Sequence, residues 1–375
     1  MERCDFLIVG GGIAGISAGA WLAERGRTIV LEREGAPGYH TTGRSAALYT
    51  EKYGNAAIRA LTRGSGAFLR NPPDGFSDHS LLTPRGMMFI ARADQRGALD
   101  EMAAEVGREG NRLEAFDSAE AVRRLPILDP DYVAAAMLEP AAMDIDVHAL
   151  LQGYLKLLKS KGGHLVAGAE VSRSERVQGE WSVLTRAGEF RAAVLVNAGG
   201  AWADEIARLA GLEPLGLEPL RRTAVTVDLP PNGSPAQWPM AHDIEDQFYF
   251  KPEAGRLLAS PADETPSPPC DAQADELDVA LAIERLERAT TIRVRRITHR
   301  WAGLRTFAPD RTTVLGYDPT GEGFFWVAGQ GGYGIQTSAA MGRAAAALVT
   351  GKDLPADLRA FGLTEAILSP ARFRD

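Results

Sequence analysis

Cysteine is nearly absent. The chain of 375 residues has two, Cys4 and Cys270, far apart and outside any Cys-x-x-Cys or Cys/His spacing. That excludes a disulfide framework and a zinc site, and points to a reducing, cytoplasmic interior. The six histidines form no cluster, so no metal is expected. Cations are in deficit, 41 Lys and Arg against 49 Asp and Glu, and the net charge of −8 is not gathered into a tail. Neither nucleic acid nor an anionic membrane is then an expected partner; a small diffusible substrate is. Low-complexity tracts and internal repeats are missing too. The 45% hydrophobic and 24% charged composition is that of a soluble globular chain, long enough for two cores.

The one long uncharged stretch runs from Phe6 to Ala23. A spanning helix needs roughly 20 apolar residues with few glycines, and a signal peptide needs a positive start and a small-residue cleavage site. Here Glu2 and Asp5 precede the run and five glycines interrupt it, so no transmembrane segment is expected.

Glycine is what the chain has in excess, 40 residues, many of them clustered at Gly10 to Gly15, Gly199 to Gly200 and Gly329 to Gly334. The first cluster divides the opening stretch into a strand over Asp5–Val9, a turn, a helix over Ile13–Arg25 and a second strand over Thr28–Leu31 ending at Glu32. This is a βαβ unit carrying Gly10-x-Gly12-x-x-Gly15. One glycine makes the tight turn, one lets backbone approach a pyrophosphate, and one lets helix and strand pack closely. The exposed N–H groups at Ile13 and Ala14 then face the phosphates, and Glu32 is placed to accept from a ribose diol. A dinucleotide is therefore expected; the motif alone does not choose between NAD and FAD.

Farther on, Leu81–Arg92 reads as a strand, Asp117 opens a short helix closed by Pro126 and Pro130, and Asp146 caps a helix over Val147–Lys159. Strands are expected at His164–Val171, Trp181–Arg186 and Ala192–Asn197, the last running into Ala198, Gly199, Gly200 and Trp202, a second approach of backbone to cofactor. Arg221–Leu229, Phe248–Pro252, Leu257–Ser260 and Thr291–Arg296 alternate and suggest a separate antiparallel sheet, with Ser260–Pro269 as a surface loop. An aromatic strand at Gly323–Ala328, a glycine loop and a small-residue helix over Ile335–Val349 return to the strand–glycine–helix arrangement. Consecutive βαβ units, as in a simple NAD dehydrogenase, are missing. The fold expected is α/β, an FAD-binding Rossmann-like domain with an inserted antiparallel β-rich substrate-binding domain. The boundaries expected are 1–82, 144–216 and 313–375 for the first and 83–143 and 217–312 for the second.

The stretches VLEREGAPGYHTTGRSAA, DIDVHALLQGYL, RAAVLVNAGGAW, FYFKPEAG, HRWAGLRTF and GGYGIQTSAAMG, with the pair Arg221-Arg222, span nearly the whole chain. In them it resembles the D-amino-acid oxidase and glycine oxidase group of flavoproteins, and within that group the bacterial D-arginine dehydrogenases. The resemblance implies FAD held by Gly10, Gly12, Gly15, Glu32 and Arg33 at the ADP-ribose end. It implies Thr42, Gly43, Arg44, Ser45 and Ala47 along the pyrophosphate and ring, and the backbone of Val171 at the adenine. Gly331, Gly332, Tyr333, Gly334, Ile335, Gln336 and Thr337 are implied at the flavin carbonyl end. The histidine or cysteine that carries covalent flavin in relatives has no counterpart at Arg44 or near the last glycine loop, so FAD is expected to be non-covalent.

The same resemblance implies a clamp for the substrate carboxylate made by Tyr53, Arg222, Tyr249 and Arg305, with the Gly332 carbonyl receiving the amine and Gln336 orienting it. The reaction implied is hydride transfer from Cα to flavin N5, giving an imino acid that water converts to a keto acid and ammonia; no histidine base is needed. The side-chain pocket is assigned to Leu48, Met87, Met240 and His242. Met87 replaces the glutamate that neutralises a cationic substrate in the arginine enzymes, and Leu48 replaces a nearby histidine. The expected substrates are thus neutral or apolar D-amino acids, unless Asp243, Glu245 and Asp246 fold over the site as a lid. The rival readings are a secondary-amine oxidase of the sarcosine, N-methyl amino acid or D-proline type, and a non-catalytic flavin-binding subunit. Electron acceptor and oligomeric state are left open.

Overall fold

The computed structural model describes residues 1–108, 113–229 and 235–374. Glu2–Val9 and Thr28–Leu31 are parallel strands joined by the Ile13–Leu22 helix. From Phe6 to Val9 and throughout Thr28–Leu31 every residue is buried, the mark of strands covered on both faces. Glu2–Val9 sits between Thr28–Leu31 and Gly188–Asn197, both parallel to it. His164–Val166 continues one side and Phe324–Ala328 pairs parallel with Gly188–Asn197 on the other. Antiparallel strands Val171–Val177, Glu180–Thr185 and Val314–Tyr317 complete an eight-stranded sheet.

The Ile13–Leu22, Val147–Ser160 and Gly334–Val349 helices contribute to one core under this sheet. Asp146 caps the second of them, accepting from Ala149 N as expected. Its apolar positions at Leu150, Leu151, Tyr154 and Leu158 are buried on one face, the side that meets the opening helix.

The second sheet has nine strands and is mostly antiparallel. Its longest pair, Glu218–Asp228 with Ile297–Phe307, carries the register Arg222↔Gly303 and Leu220↔Arg305. Tyr249–Glu253 follows through Arg256–Ser260, and Met240–Asp243 runs parallel to Met87–Ala91. The fold is thus the α/β arrangement expected, a Rossmann-like sheet beside a mostly antiparallel one.

Several elements differ from expectation. Leu81–Arg92 is two strands, Leu82–Pro84 and Met87–Ala91, in different sheets, because Gly86 turns the chain at φ +73° between them. His164–Val171 likewise splits between His164–Val166 and the strand starting at Val171. Thr291–Arg296 is not a strand; pairing begins at Ile297. The opening helix stops at Leu22, short of Arg25, in a turn that ends at Gly26.

Candidate active site

The two sheets enclose a cavity of about 310 Å³ that runs from the Gly10–Ala14 turn, Glu32 and Val171 at one end to Arg222, Tyr249 and Met87 at the other. At the first end, backbone lies where side chains would otherwise be. Gly10 has φ +117°, and a Cβ on it would stand 2.2 Å from Ala198 O; one on Gly15 would stand 1.9 Å from Gly10 O. Gly12 caps the Ile13–Leu22 helix without a side-chain bond, so the helix start opens into the cavity, with Ile13 N donating to Thr42 Oγ1 at 3.0 Å. Glu32, 7% exposed, accepts from Gly11 N and Glu34 N at 2.8 Å each. Burial raises its carboxyl above the ordinary range, against the pull of those two N–H bonds. Arg33 lies 4.8 Å over the Trp202 ring, which also packs on His40.

At the other end Arg222 is 6% exposed. Its Nε donates to Asp263 O at 2.8 Å and its Nη2 to Glu264 Oε1 at 3.2 Å, while Nη1 is buried with no partner. Arg305 reaches the cavity from the neighbouring strand. Burial works to lower its pKa, but Tyr249, Tyr53 and Asp246 more than offset this and hold the guanidinium firmly charged. Burial pushes the Tyr53 phenol up, with Arg305 pulling the other way. His242 stacks on Tyr249 at 5.9 Å, meets Tyr53 edge-on at 5.9 Å, and joins Leu48, Met87 and Met240 in the wall. Its Nε2 lies 3.0 Å from Asp246 Oδ1 and its Nδ1 2.9 Å from Asp243 O. Partial burial would raise the Asp246 carboxyl, yet the His242 bond and the charges of Arg222 and Arg305 take it below its ordinary value.

Three further buried polar atoms without partners, His40 Nδ1, Thr306 Oγ1 and Gln330 Nε2, belong to residues of the same cavity wall. Buried polar atoms are almost always satisfied in folded proteins, so four orphans around one cavity mark a place for a polar ligand. The glycine cradle, the uncapped helix start, the buried carboxylate and these orphans fit FAD: a diphosphate at the helix, a diol at Glu32 and a polar ring system beyond.

Most of the residues singled out in the sequence line this cavity, including Val171, Ala198 to Gly200, Trp202, Ser45, Ala47, Gly331, Gly332, Gly334 and Ile335. Gly15, Gly43, Tyr333 and Thr337 do not. Gly15 packs helix on strand, and Gly43 closes a turn on Gly38 O. Tyr333 stands against Tyr53 at 5.2 Å, and Thr337 Oγ1 donates back to Tyr333 O. Gln336 lines the wall, but its amide is spanned between Thr62 Oγ1 at 3.0 Å and Thr50 N at 3.3 Å, so it braces the cavity and has no free end. Arg44 turns its guanidinium to Ala272 O, Ala302 O and Asp271, tying the loop to the second sheet. Of the three acids considered for a lid, Asp243 is fully buried on Gln95, Glu245 bonds the same amide and Asp246 faces His242; none of the three is among the residues that line the cavity.

Sequence reasoning missed Thr306, Gln330, Thr50, Asp263 and Glu264. The first two flank expected residues, Arg305 and Gly331, and adjacency was their only signal. Among the described residues no helix is long and apolar enough to cross a membrane.

The chain is 25% identical over 397 residues to FAD-dependent oxidoreductase domain-containing protein 1 of Bos taurus, covering 93% of this chain and 81% of that one. It is 26% identical over 266 residues to mitochondrial dimethylglycine dehydrogenase of Rattus norvegicus, covering 69% of this chain and 31% of that one. In fold it superposes on glycine oxidase from Geobacillus kaustophilus with a TM-score of 0.83 at 24% identity, over 97% and 99% of the two chains. The sequence pattern of the family described as FAD dependent oxidoreductase matches residues 5–348, and with a cavity built for that cofactor the chain belongs to this family of FAD-dependent oxidoreductases.

Proposed function

We propose that the protein oxidises the Cα–N bond of D-amino acids with neutral, apolar side chains, using non-covalently bound FAD. The observation that carries this reading is the Nη1 of Arg222, buried and unpartnered on a residue of the cavity wall. A second guanidinium, Arg305, and the phenols of Tyr53 and Tyr249 surround the same space. Two guanidiniums in one cavity wall, one of them with a nitrogen still unpartnered, suit a carboxylate, which a guanidinium can bind with parallel hydrogen bonds.

In this reading Arg222 and Arg305 hold the substrate carboxylate, and the Gly332 carbonyl receives a hydrogen bond from the amine. Bound FAD supplies the acceptor for the hydride leaving Cα. The protein's part is to fix the carboxylate and exclude water, so that Cα–H is presented in one orientation. The imino acid formed is released to water, which yields the keto acid and ammonia. Leu48, Met87 and Met240 offer an apolar wall for the side chain.

The likeness to dimethylglycine dehydrogenase favours a second reading, oxidation of an N-methylated amino acid through the same carboxylate anchor. Anaerobic bleaching of the flavin by individual D- and L-amino acids, with sarcosine, dimethylglycine and D-proline alongside, tests both. Fast bleaching by D-leucine, D-methionine or D-phenylalanine is the expected result. Bleaching by the N-methylated set alone selects the second reading, and no bleaching by any of them ends both.

A further inference from the structure

Between the Arg256–Ser260 and Thr265–Pro266 strands the chain passes Arg222, and two consecutive residues engage it. Asp263 O accepts from Arg222 Nε at 2.8 Å, and Glu264 Oε1 accepts from Nη2 at 3.2 Å. These two nitrogens form the side edge of the guanidinium fork. Asp263 is itself fixed to the same strand, its carboxylate accepting from Thr223 N at 2.7 Å and Thr223 Oγ1 at 3.0 Å. Glu264 is fixed from the other side: Arg311 Nη2 donates to both of its oxygens, at 2.7 and 2.9 Å, with the Arg311 guanidinium 3.9 Å over the Phe307 ring.

We infer that Asp263 and Glu264 are a positioning device for Arg222, holding the side edge of its guanidinium so that Nη1 is the nitrogen a substrate carboxylate meets. The inference rests on the proposed role of Arg222 as the carboxylate anchor. An arginine on a flexible stem loses rotamer freedom when it binds, and one already fixed does not. The device therefore acts on carboxylate affinity and leaves hydride transfer alone. Charge is not its means. Glu264 opposes an incoming anion, and Arg311 balances that opposition; what remains is the reach of the Glu264 side chain.

Reach and charge are separable by substitution in the FAD-loaded full chain. Glu264→Asp keeps the charge and shortens the arm by one methylene. Glu264→Gln keeps the arm and an acceptor oxygen and removes the charge. Glu264→Asp is expected to raise the KM of the best amino acid, and the Kd of acetate read from perturbation of the flavin absorbance, by the same factor, roughly five- to tenfold. Its kcat should stay within about twofold, and oxidation of the corresponding amino acid amide, which has no carboxylate, should be unaffected. Glu264→Gln is expected to stay near wild type on every measure. Glu264→Ala, lacking both arm and charge, serves as the second variant and should follow Asp. If Asp and Ala leave KM and the acetate Kd unchanged while Arg222→Lys raises both, the positioning role is overturned and the anchor stands. If Arg222→Lys also changes nothing, the anchor itself is refuted.

Discussion

A Cβ on Gly332 would lie 2.9 Å from Cζ of Arg305 and 3.0 Å from its Nη1, so the Arg305 guanidinium occupies the space that a side chain at Gly332 would need. The contact joins the two parts of the site. Gly332 belongs to the turn that starts the Gly334–Val349 helix, and Arg305 to the antiparallel sheet. Gly332→Ala should therefore displace the guanidinium without disturbing either sheet, since a side-chain tip can move where backbone cannot. The expected result is a fall in kcat/KM of about 10- to 100-fold for carboxylate substrates, with the melting temperature nearly unchanged, measured by steady-state kinetics and thermal unfolding of the same preparation.

The opening glycines separate by role in the same way. The neighbour at Gly15 is backbone, Gly10 O at 1.9 Å from an added Cβ, whereas at Gly12 it is Thr42 Oγ1 at 3.3 Å. Gly15→Ala should force helix from strand and destabilise the protein by about 1–3 kcal/mol or more, with or without flavin. Gly12→Ala should fold and lose FAD affinity instead, because its methyl stands at the helix start where a phosphate would sit. Thermal unfolding of apoprotein, set beside a fluorescence titration with FAD, distinguishes the two.

Glu32 predicts opposite pH trends for folding and for cofactor binding. Burial, the largest influence, raises its carboxyl above the ordinary glutamate value of 4.5, while the Glu34 and Gly11 N–H bonds pull it down. In that window the native protein keeps a proton that the unfolded chain has lost. The group's contribution to stability is thus full below about pH 4.5 and is lost as pH rises through the elevated value. Ribose hydroxyls donating to the carboxylate need its ionised form, so FAD should bind more tightly as pH rises through the same interval. The Kd of FAD measured between pH 4.5 and 8 should fall for the wild-type protein and stay flat for Glu32→Gln; a flat wild-type curve would refute the assignment.

Local signals were legible in the sequence where chemistry was local. The βαβ unit, the Asp117 and Asp146 caps and the final small-residue helix each announce themselves within a few residues. Met240–Asp243 was not legible, because four residues with every side chain buried show no alternation. The Glu276–Ala289 helix was passed over although Asp275 caps it and Val279, Ala282 and Leu286 mark its buried face; its charged, weakly apolar run resembled the loop before it. Ser260–Pro269 shows a deeper limit. Its prolines and serines suggest a surface loop, whereas Ser260 ends one strand and Thr265–Pro266 is another, and nothing in them tells that Asp263 and Glu264 turn inward onto Arg222, which lies about 40 residues earlier and meets them only through sheet pairing.

The proposed side-chain pocket gives the sharpest test of specificity. Met87 is 2% exposed and pairs in register with Met240 across the parallel contact, and both line the cavity with Leu48. A cationic side chain placed there would lose its water and gain only thioether and methyl contacts. Asp246 does not make up the deficit, because its oxygen is already on His242 and its charge already faces Arg222 and Arg305. Met87→Glu introduces a carboxylate where a guanidinium or ammonium would lie, at a site whose burial strengthens the pair once formed. A charge-assisted bond of this kind is worth about 1.5–3 kcal/mol, roughly 10- to 150-fold in discrimination. The ratio of kcat/KM for D-arginine to that for D-leucine should rise by that factor in Met87→Glu, and most of the change should come from D-arginine gaining, since D-leucine loses only packing. A wild-type protein that already prefers D-arginine, or a variant whose ratio does not move, would show that the side chain is read elsewhere.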